Sequence, residues 1–156
     1  MEHDLKVVTK NERETQKLGE ALAKEARFFH SSRALVIALE GNLGAGKTVF
    51  AKGFARGLGI KEEMKSPTFI LMRAFQIPSA SRRSKKLFLH FDAYRISNAK
   101  EFKQIGFKNF LKDPQNILLV EWSDRVESLL PKDRVQIRIK HLGKDQREFM
   151  FYGEKK

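Results

Sequence analysis

Short apolar runs alternate with segments of helical periodicity along most of the chain. The runs at 34–39, 87–91 and 117–120 have the length of strands and are apolar almost throughout. Such runs are typical of parallel strands that are covered on both faces. After the first run, residues 50, 54 and 58 are apolar at helical spacing, so helices are expected to cover the strands. The pattern predicts an α/β fold whose sheet has a parallel core.

Helix signals also mark the N-terminal region and the segment after residue 96. Asn11, with Glu14 three residues later, predicts a helix to about residue 28 that follows a short strand at 5–8. The residues expected on its buried face are Leu18, Ala21, Leu22 and Ala26. Ser97 is the expected N-cap of a further helix that extends to about residue 111. A short helix is expected after the run at 117–120.

The remaining segments alternate apolar and polar residues, which predicts antiparallel strands. Residues 70–77 form one such run, and the polar segment 78–86 is the expected tip of a hairpin. In the tail, residues 135–139 and 149–151 alternate in the same way, with Gly143 at the expected turn. We therefore expect a three-layer fold with a mixed sheet that has a parallel core and antiparallel C-terminal strands.

The composition is that of one folded domain. With 156 residues, 41% of them hydrophobic, the chain can form one core, and a single domain is expected over residues 1–156. Because there is no cysteine and the four histidines show no ligand spacing, any metal ion should be bound by oxygen atoms. No apolar run is long enough to span a membrane, and the N-terminus lacks the layout of a signal peptide. A soluble cytoplasmic protein is expected.

The formal net charge of +12 has two explanations. It can mark a surface for nucleic acid, or it can reflect a generally basic proteome. Lysines and arginines are spread along the whole chain, and the local cluster at 82–86 contains no aromatic residue on which a base could stack. A solvated loop explains this cluster, and the charge leaves a contact with nucleic acid open.

The first apolar run leads into a phosphate-binding motif. Residues 41–48 fit the pattern G-x-x-x-x-G-K-[ST] in full, between a predicted strand and a predicted helix. The glycines allow backbone N–H groups to point at phosphate oxygens, Lys47 would reach the β- and γ-phosphates, and Thr48 would bind Mg²⁺. The predicted nucleotide-binding residues are Gly41, Asn42, Leu43, Gly44, Ala45, Gly46, Lys47 and Thr48.

Two acidic residues end the later apolar runs. Asp92 and Glu121 each lie at the carboxyl end of a predicted strand, where open α/β sheets bind ligands and where an acid can orient magnesium. Either could fill that role. Trp122 could stack on a partner or pack internally, and Arg95 could stabilise transition-state charge or pair with a carboxylate. His90, within an apolar run, is expected to be a packed core residue.

Four segments can be compared together with known families. They are the phosphate-binding motif, Ser-Pro-Thr-Phe at 66–69, His-Phe-Asp-Ala-Tyr-Arg at 90–95 and Val-Glu-Trp at 120–122. Their order and spacing resemble the TsaE family, small P-loop ATPases of tRNA threonylcarbamoyladenosine biosynthesis. The phosphate-binding motif alone occurs in many families, whereas the other three signatures are much more specific. The likeness covers nearly the whole chain.

The resemblance implies a P-loop NTPase-like fold and a slow, partner-dependent ATPase that uses ATP and Mg²⁺. It implies two partner subunits, which transfer threonylcarbamoyl to adenosine 37 of tRNA, while ATP hydrolysis resets the complex between cycles. By resemblance, Lys47, Thr68 and Asp92 are catalytic, with Thr68 on a switch-like loop near the γ-phosphate. Thr48 and Glu121 are the residues associated with magnesium. A direct contact with tRNA stays open.

Two other functions are compatible with the motif. A small nucleotide or metabolite kinase also uses a phosphate-binding loop with a carboxylate at a strand end, and the basic residues 82–86 would then form a lid over phosphate. A nucleotide-dependent binding module with negligible turnover is the third possibility. The absence of an N-K-x-D guanine-reading pattern favours ATP over GTP.

Overall fold

The structure is a computed structural model and describes residues 5–42, 44–63, 71–78 and 85–153. The strands are β1 (Leu5–Thr9), β2 (Leu35–Glu40), β3 (Met72–Gln76), β4 (Leu87–Asp92), β5 (Asn116–Glu121), β6 (Val135–Gly143) and β7 (Gln146–Tyr152). The helices are α1 (Glu12–Ala26), α2 (Lys47–Gly57), α3 (Ala99–Gln104), α4 (Phe107–Lys112) and a 3-10 helix (Ser123–Leu129). No helix in this part of the chain has the length and apolar character that crossing a bilayer requires.

The described strands form one seven-stranded sheet in the order β1-β7-β6-β2-β5-β4-β3. Its centre is parallel, because β2 pairs with both β5 and β6, and β5 pairs with β4, in parallel register. The pairs β1–β7, β6–β7 and β3–β4 are antiparallel. The predicted mixed sheet, with its parallel core and antiparallel C-terminal strands, is confirmed.

The sheet separates two hydrophobic cores, which makes three layers. On one face, Phe50 and Phe54 of α2 pack with Phe88 of β4. On the other face, Phe91 of β4 contacts Phe102 of α3 and the helix that follows it. Because side chains of the central strands point alternately to both cores, these strands are apolar throughout. This explains why the central strands were predictable from their composition.

Glycines bring α1 close to α2 and so fix the helix that follows the phosphate-binding loop. A Cβ atom added at Gly53 would lie 2.1 Å from the backbone oxygen of Gln16, and one at Gly19 would lie 2.4 Å from that of Phe50. The backbones therefore touch, and the buried residues of α1 are Thr15, Gly19, Ala23 and Ala26. The prediction that Ala21 is buried is wrong, because this close contact rotates α1 so that Ala21 is exposed.

The predicted helix at 97–111 is two helices. Asn98, rather than Ser97, is the N-cap, because its side chain accepts hydrogen bonds from the N–H groups of Lys100 and Glu101. Gly106 interrupts the helix with a φ of 87° and is the N-cap of α4. Both sequence signals were present, but Ser and Asn cap helices equally well and an isolated glycine is often tolerated.

One residue of the basic cluster at 82–86 is not solvated. Lys85 is 2% exposed, and its Nζ donates a hydrogen bond of 2.6 Å to the backbone oxygen of Pro114. Burial lowers the pKa of Lys85 below its ordinary value, with an opposing effect from Asp113. The expectation of a solvated loop is therefore wrong for Lys85, while Lys86 is exposed. Residues 82–84 lie outside the described part of the chain.

Candidate functional site

The phosphate-binding loop connects the buried strand β2 to the N-terminus of α2. Gly46 is the N-cap of α2 with a φ of 108°, and no side chain caps this helix end by a hydrogen bond. Gly44 also has a positive φ, 77°, and a Cβ there would meet nothing within 4 Å. The N–H groups at the start of α2 are thus available to an anion, which the positive end of the helix dipole would also attract.

Lys47 lies at the start of α2 with its ammonium group held across the loop. Its Nζ donates hydrogen bonds to the backbone oxygens of Gly41 at 2.6 Å and Asn42 at 2.8 Å. The same atom lies 4.1 Å from the centre of the Trp122 ring. Burial lowers the pKa of Lys47, whereas the carboxylates of Glu121 and Asp92 act in the opposite direction. A cation is therefore held beside the loop by two backbone oxygens and an aromatic ring.

The two acidic candidates are neighbours. Asp92 and Glu121 end β4 and β5 and face each other in the parallel register. Glu121 is 2% exposed and has a different partner at each oxygen: Oε1 accepts from Thr48 Oγ1 at 3.2 Å, and Oε2 lies 2.5 Å from His90 Nε2. Glu121 thus connects the sheet to the residue that the motif assigns to magnesium.

Asp92 is buried beside this pair and is 5% exposed. Its Oδ1 accepts a hydrogen bond of 2.9 Å from the backbone N–H of Tyr94. Burial raises the pKa of Asp92 above its ordinary value; the Tyr94 hydrogen bond lowers it in part, and the Glu121 carboxylate adds to the rise. A carboxylate with a raised pKa is a better proton acceptor than an exposed one, which suits a general base.

An aromatic pair lies at the edge of the site. Trp122 has a left-handed backbone conformation, with φ 57° and ψ 43°, which is uncommon for a residue other than glycine. Its ring centre is 4.9 Å from that of Tyr94, and the Arg125 guanidinium lies 5.5 Å from both rings. Trp122 thus packs against Tyr94 and Lys47, and the alternative that it stacks on a partner stays a prediction.

These residues surround a cleft of about 370 Å³. It is lined by Glu12, Gly44, Ala45, Gly46, Lys47, Thr48, Val49, Asp92, Tyr94, Glu121, Trp122 and Arg147. The cleft thus brings together residues 44–48 of the phosphate-binding loop, both acidic candidates and the tryptophan, whereas Gly41 and Asn42 line a separate cleft. Leu43 and Thr68, which the sequence also proposed, lie outside the described residues. Arg95 is exposed and is not among the residues that line the cleft.

Arg147 is a cleft residue to which the sequence assigned no role. Its side chain lies against Gly46, where an added Cβ would be 3.1 Å from Arg147 Nε. The NH1 group donates to two backbone oxygens, those of Lys144 at 3.3 Å and Gln146 at 3.1 Å. Among the described residues, no carboxylate forms an ion pair with it. Arg147 lies at the cleft because of its position on β7, and that position becomes informative only when the sheet order is known.

The donor set fits magnesium bound together with a nucleotide. The described residues contain no group of three or more histidine and acidic side chains that could hold a metal ion alone. Thr48 and Glu121 instead offer hard oxygen atoms, and Mg²⁺ commonly takes one or two protein ligands, with phosphate oxygens and water completing its shell. The site can therefore support a nucleotide-bound ion.

Comparisons with known proteins identify the family of the chain. A family model described as "Threonylcarbamoyl adenosine biosynthesis protein TsaE" matches residues 9–149. The tRNA threonylcarbamoyladenosine biosynthesis protein TsaE of Bacillus subtilis (strain 168) is 39% identical over 150 residues, which cover 94% of this chain and 84% of the relative. The protein of the same name from Treponema pallidum (strain Nichols) is 37% identical over 113 residues, covering 72% and 78%.

A solved structure is also similar. The crystal structure of Bacillus subtilis YdiB superimposes with a TM-score of 0.74 at 33% sequence identity, over 97% of this chain and 86% of that one. This agreement supports the P-loop NTPase-like α/β fold. From the family model and these relatives together, the chain belongs to the TsaE family.

Proposed function

We propose that this chain binds ATP with Mg²⁺ and hydrolyses it slowly, as a cytoplasmic subunit of the machinery that makes threonylcarbamoyladenosine at position 37 of tRNA. The pathway is supported by family membership and by the names of the relatives. The chemistry is supported by one observation above others: the hydrogen bond between Thr48 and Glu121, with Lys47 and Asp92 beside it. Groups of these types, close together in one cleft, support the proposal that the chain binds and cleaves a nucleoside triphosphate.

Binding would begin at the phosphate-binding loop. The N–H groups at the start of α2 would donate hydrogen bonds to oxygens of the β-phosphate, and Lys47 would leave its backbone partners to contact the β- and γ-phosphates. Thr48 and Glu121 would hold magnesium, which when bound neutralises charge on the β- and γ-phosphate oxygens. Tyr94 and Trp122 pack against each other at the edge of this part of the cleft.

Hydrolysis requires that a water molecule be deprotonated near the γ-phosphate. The water oxygen forms a bond to the γ-phosphorus, the bond from that phosphorus to the bridging oxygen breaks, and ADP leaves with the bond's electrons. Asp92 accepts the proton of the water, a role favoured by the burial that raises its pKa. Thr68 stays a predicted third catalytic residue on a switch-like loop.

We further propose that two partner subunits regulate this reaction and that hydrolysis resets their complex between cycles. An ATPase that depends on a loop ordered by its partners turns over slowly alone, because the catalytic residues are complete only in the complex. Direct contact between the basic surface and tRNA is a separate question, which binding of tRNA to this subunit alone would answer.

The experiment compares ATP hydrolysis by the chain alone and with its two cognate synthase subunits. We expect the subunits to bind in the presence of ATP and to change the steady-state rate of ADP formation. If the subunits neither bind nor change the rate, the proposal fails. Lys47→Ala, which removes the phosphate-contacting ammonium, serves as the inactive control, and Lys52→Ala, on an exposed position of the same helix, serves as the matched active control.

The kinase alternative has less support. It required the basic residues 82–86 to cover phosphate groups, but Lys85 is buried against the backbone oxygen of Pro114 and does not line the cleft. A panel of nucleosides and nucleotides tests this directly. Transfer of the γ-phosphate of ATP to any of them, in place of water, would favour the kinase.

A further inference from the structure

His90 contacts the proposed site but has no role in the reaction described above. It is fully buried on β4, and its Nε2 lies 2.5 Å from Glu121 Oε2. Thr48 occupies the other oxygen of the same carboxylate. The two contacts therefore hold the two ends of one carboxylate group, one from the sheet and one from the helix.

The surroundings of the His90 ring define which nitrogen carries its proton. Nδ1 is buried, and no residue in the described part of the chain is a hydrogen-bond partner for it. A proton on Nδ1 would be a buried donor without an acceptor, which costs free energy, so the proton is assigned to Nε2. Nε2–H then donates to Glu121. The ring is also stacked on Phe88, with an interplanar angle of 9°, so this donor has a fixed direction.

We propose that His90 is a positioning residue for the magnesium site. By holding Oε2 of Glu121, it keeps Oε1 directed towards Thr48, where the ion would be bound. Groups that orient a metal ligand in this way commonly contribute 10- to 100-fold to metal affinity. Without the His90 donor, the Glu121 side chain would gain rotational freedom that metal binding must remove again. The inference rests on the proposed function, because it concerns Mg²⁺ bound with a nucleotide.

The test separates a positioning role from simple packing. His90→Phe keeps a ring that can stack on Phe88 but removes the donor, whereas His90→Gln keeps an N–H donor near the Nε2 position. ATP affinity is followed through the fluorescence of Trp122, the only tryptophan in the chain, with a Mg²⁺ titration and with EDTA. His141→Phe, at an exposed histidine of β6, is the matched control.

We expect His90→Phe to raise the Mg²⁺ concentration needed for half-maximal tightening of ATP binding by about 10- to 100-fold. The ATP affinity of His90→Phe in EDTA should equal that of the wild type. For His90→Gln, both the Mg²⁺ requirement and the ATP affinity in EDTA should lie within about 3-fold of the wild-type values. In a readout that needs neither metal nor nucleotide, proton NMR of the wild type should show an exchange-protected downfield ring N–H signal that is absent in His90→Phe.

Two results would overturn the inference. One is an unchanged Mg²⁺ requirement in His90→Phe, and the other is an equal loss of ATP affinity with and without Mg²⁺, as expected of general damage to the fold. If His90→Phe does not fold, His90→Gln is compared with His90→Asn, whose shorter side chain cannot place a donor at the position of Nε2. Equal Mg²⁺ requirements in His90→Gln and His90→Asn would also contradict the positioning role of His90. A wild type without Mg²⁺-dependent ATP binding would contradict the proposed function as well. If the wild type shows Mg²⁺-dependent binding and His90→Phe has the same Mg²⁺ requirement, only the role of His90 is contradicted.

Discussion

Thr48 and Glu121 are 73 residues apart in the sequence, and Thr48 Oγ1 donates a hydrogen bond to Glu121 Oε1 at 3.2 Å. The contact joins the start of α2 to the end of β5, which lies directly beside β2 in the sheet. Since β4 is the next strand, Asp92 is placed beside Glu121 by the same register. The parallel core of the sheet therefore aligns the residues proposed for phosphate, magnesium and water.

The phosphate-binding loop should be sensitive to a methyl group at Gly46 and less so at Gly44. Both have positive φ, but only at Gly46 would the added Cβ meet another side chain, Arg147, at 3.1 Å. Gly44→Ala should reduce the free energy of unfolding by about 1 kcal/mol, from backbone strain alone. Gly46→Ala should reduce it by about 2–3 kcal/mol, because a crowded contact is added to greater strain. Denaturant unfolding measures both, and equal losses would contradict the contact with Arg147.

Arg147 should contribute to phosphate binding. It faces the loop at Gly46 and has no carboxylate partner among the described residues, so its charge is available to an anion. A hydrogen bond to a charged group is commonly worth about 1.5–3 kcal/mol, so Arg147→Ala should weaken ATP binding by about 10-fold or more. The loss should decrease from ATP to ADP to AMP, as measured by calorimetry. Lys52→Ala, which removes an exposed charge from α2, should bind all three normally; a similar loss there would indicate a general charge effect.

The sequence predicted the fold well where one property decides the structure. The runs at 34–39 and 117–120 are strands because residues that face two cores must be apolar on both sides. It failed where two local signals compete or where a distant contact decides. Asn98 caps α3 although Ser97 is equally suitable. Lys85 is buried because the backbone oxygen of Pro114, a feature of the tertiary structure, accepts its hydrogen bond.

For the site, the sequence identified the residue types but not their contacts. The strand ends at Asp92 and Glu121 were predictable, and adjacent parallel strands then bring them together. That β4 and β5 are adjacent follows from the sheet order, which no local pattern specifies. The same limit applies to His90, predicted only as a core residue, and to Arg147, because each has its contact in another segment.

Asp92 should reduce the stability of the folded protein at neutral pH. Its native pKa is raised above the unfolded value of 3.8, chiefly by burial, so the native state binds more protons than the unfolded state between the two values. Stability should therefore fall as the pH rises through this window, and the cost is fully present above the native pKa. Asp92→Asn removes the buried charge and should raise the free energy of unfolding at pH 7 by roughly 0.5–2 kcal/mol, the range common for single stabilising substitutions.

The measurement is denaturant unfolding of the wild type and Asp92→Asn from pH 4 to pH 8. The difference in free energy of unfolding between Asp92→Asn and the wild type should be smallest at the acidic end and should grow with pH. Asp145→Asn, which removes an exposed acid in the β6–β7 turn, should show no such trend. A variant that is less stable than the wild type at pH 7 would mean that the Asp92 carboxylate is stabilised by its surroundings, contrary to the burial effect.

The most direct test of the proposed ATPase is single-turnover hydrolysis of ATP by the complex with its partner subunits, measured with ATP affinity for the wild type and Asp92→Asn. Loss of a general base commonly costs 10²- to 10⁴-fold in rate, so we expect the Asp92→Asn rate to fall by about 100-fold or more. Its ATP dissociation constant should stay within about 3-fold of the wild-type value, since Lys47 and the loop are unchanged. Hydrolysis at the wild-type rate in Asp92→Asn would contradict the proposed catalytic site.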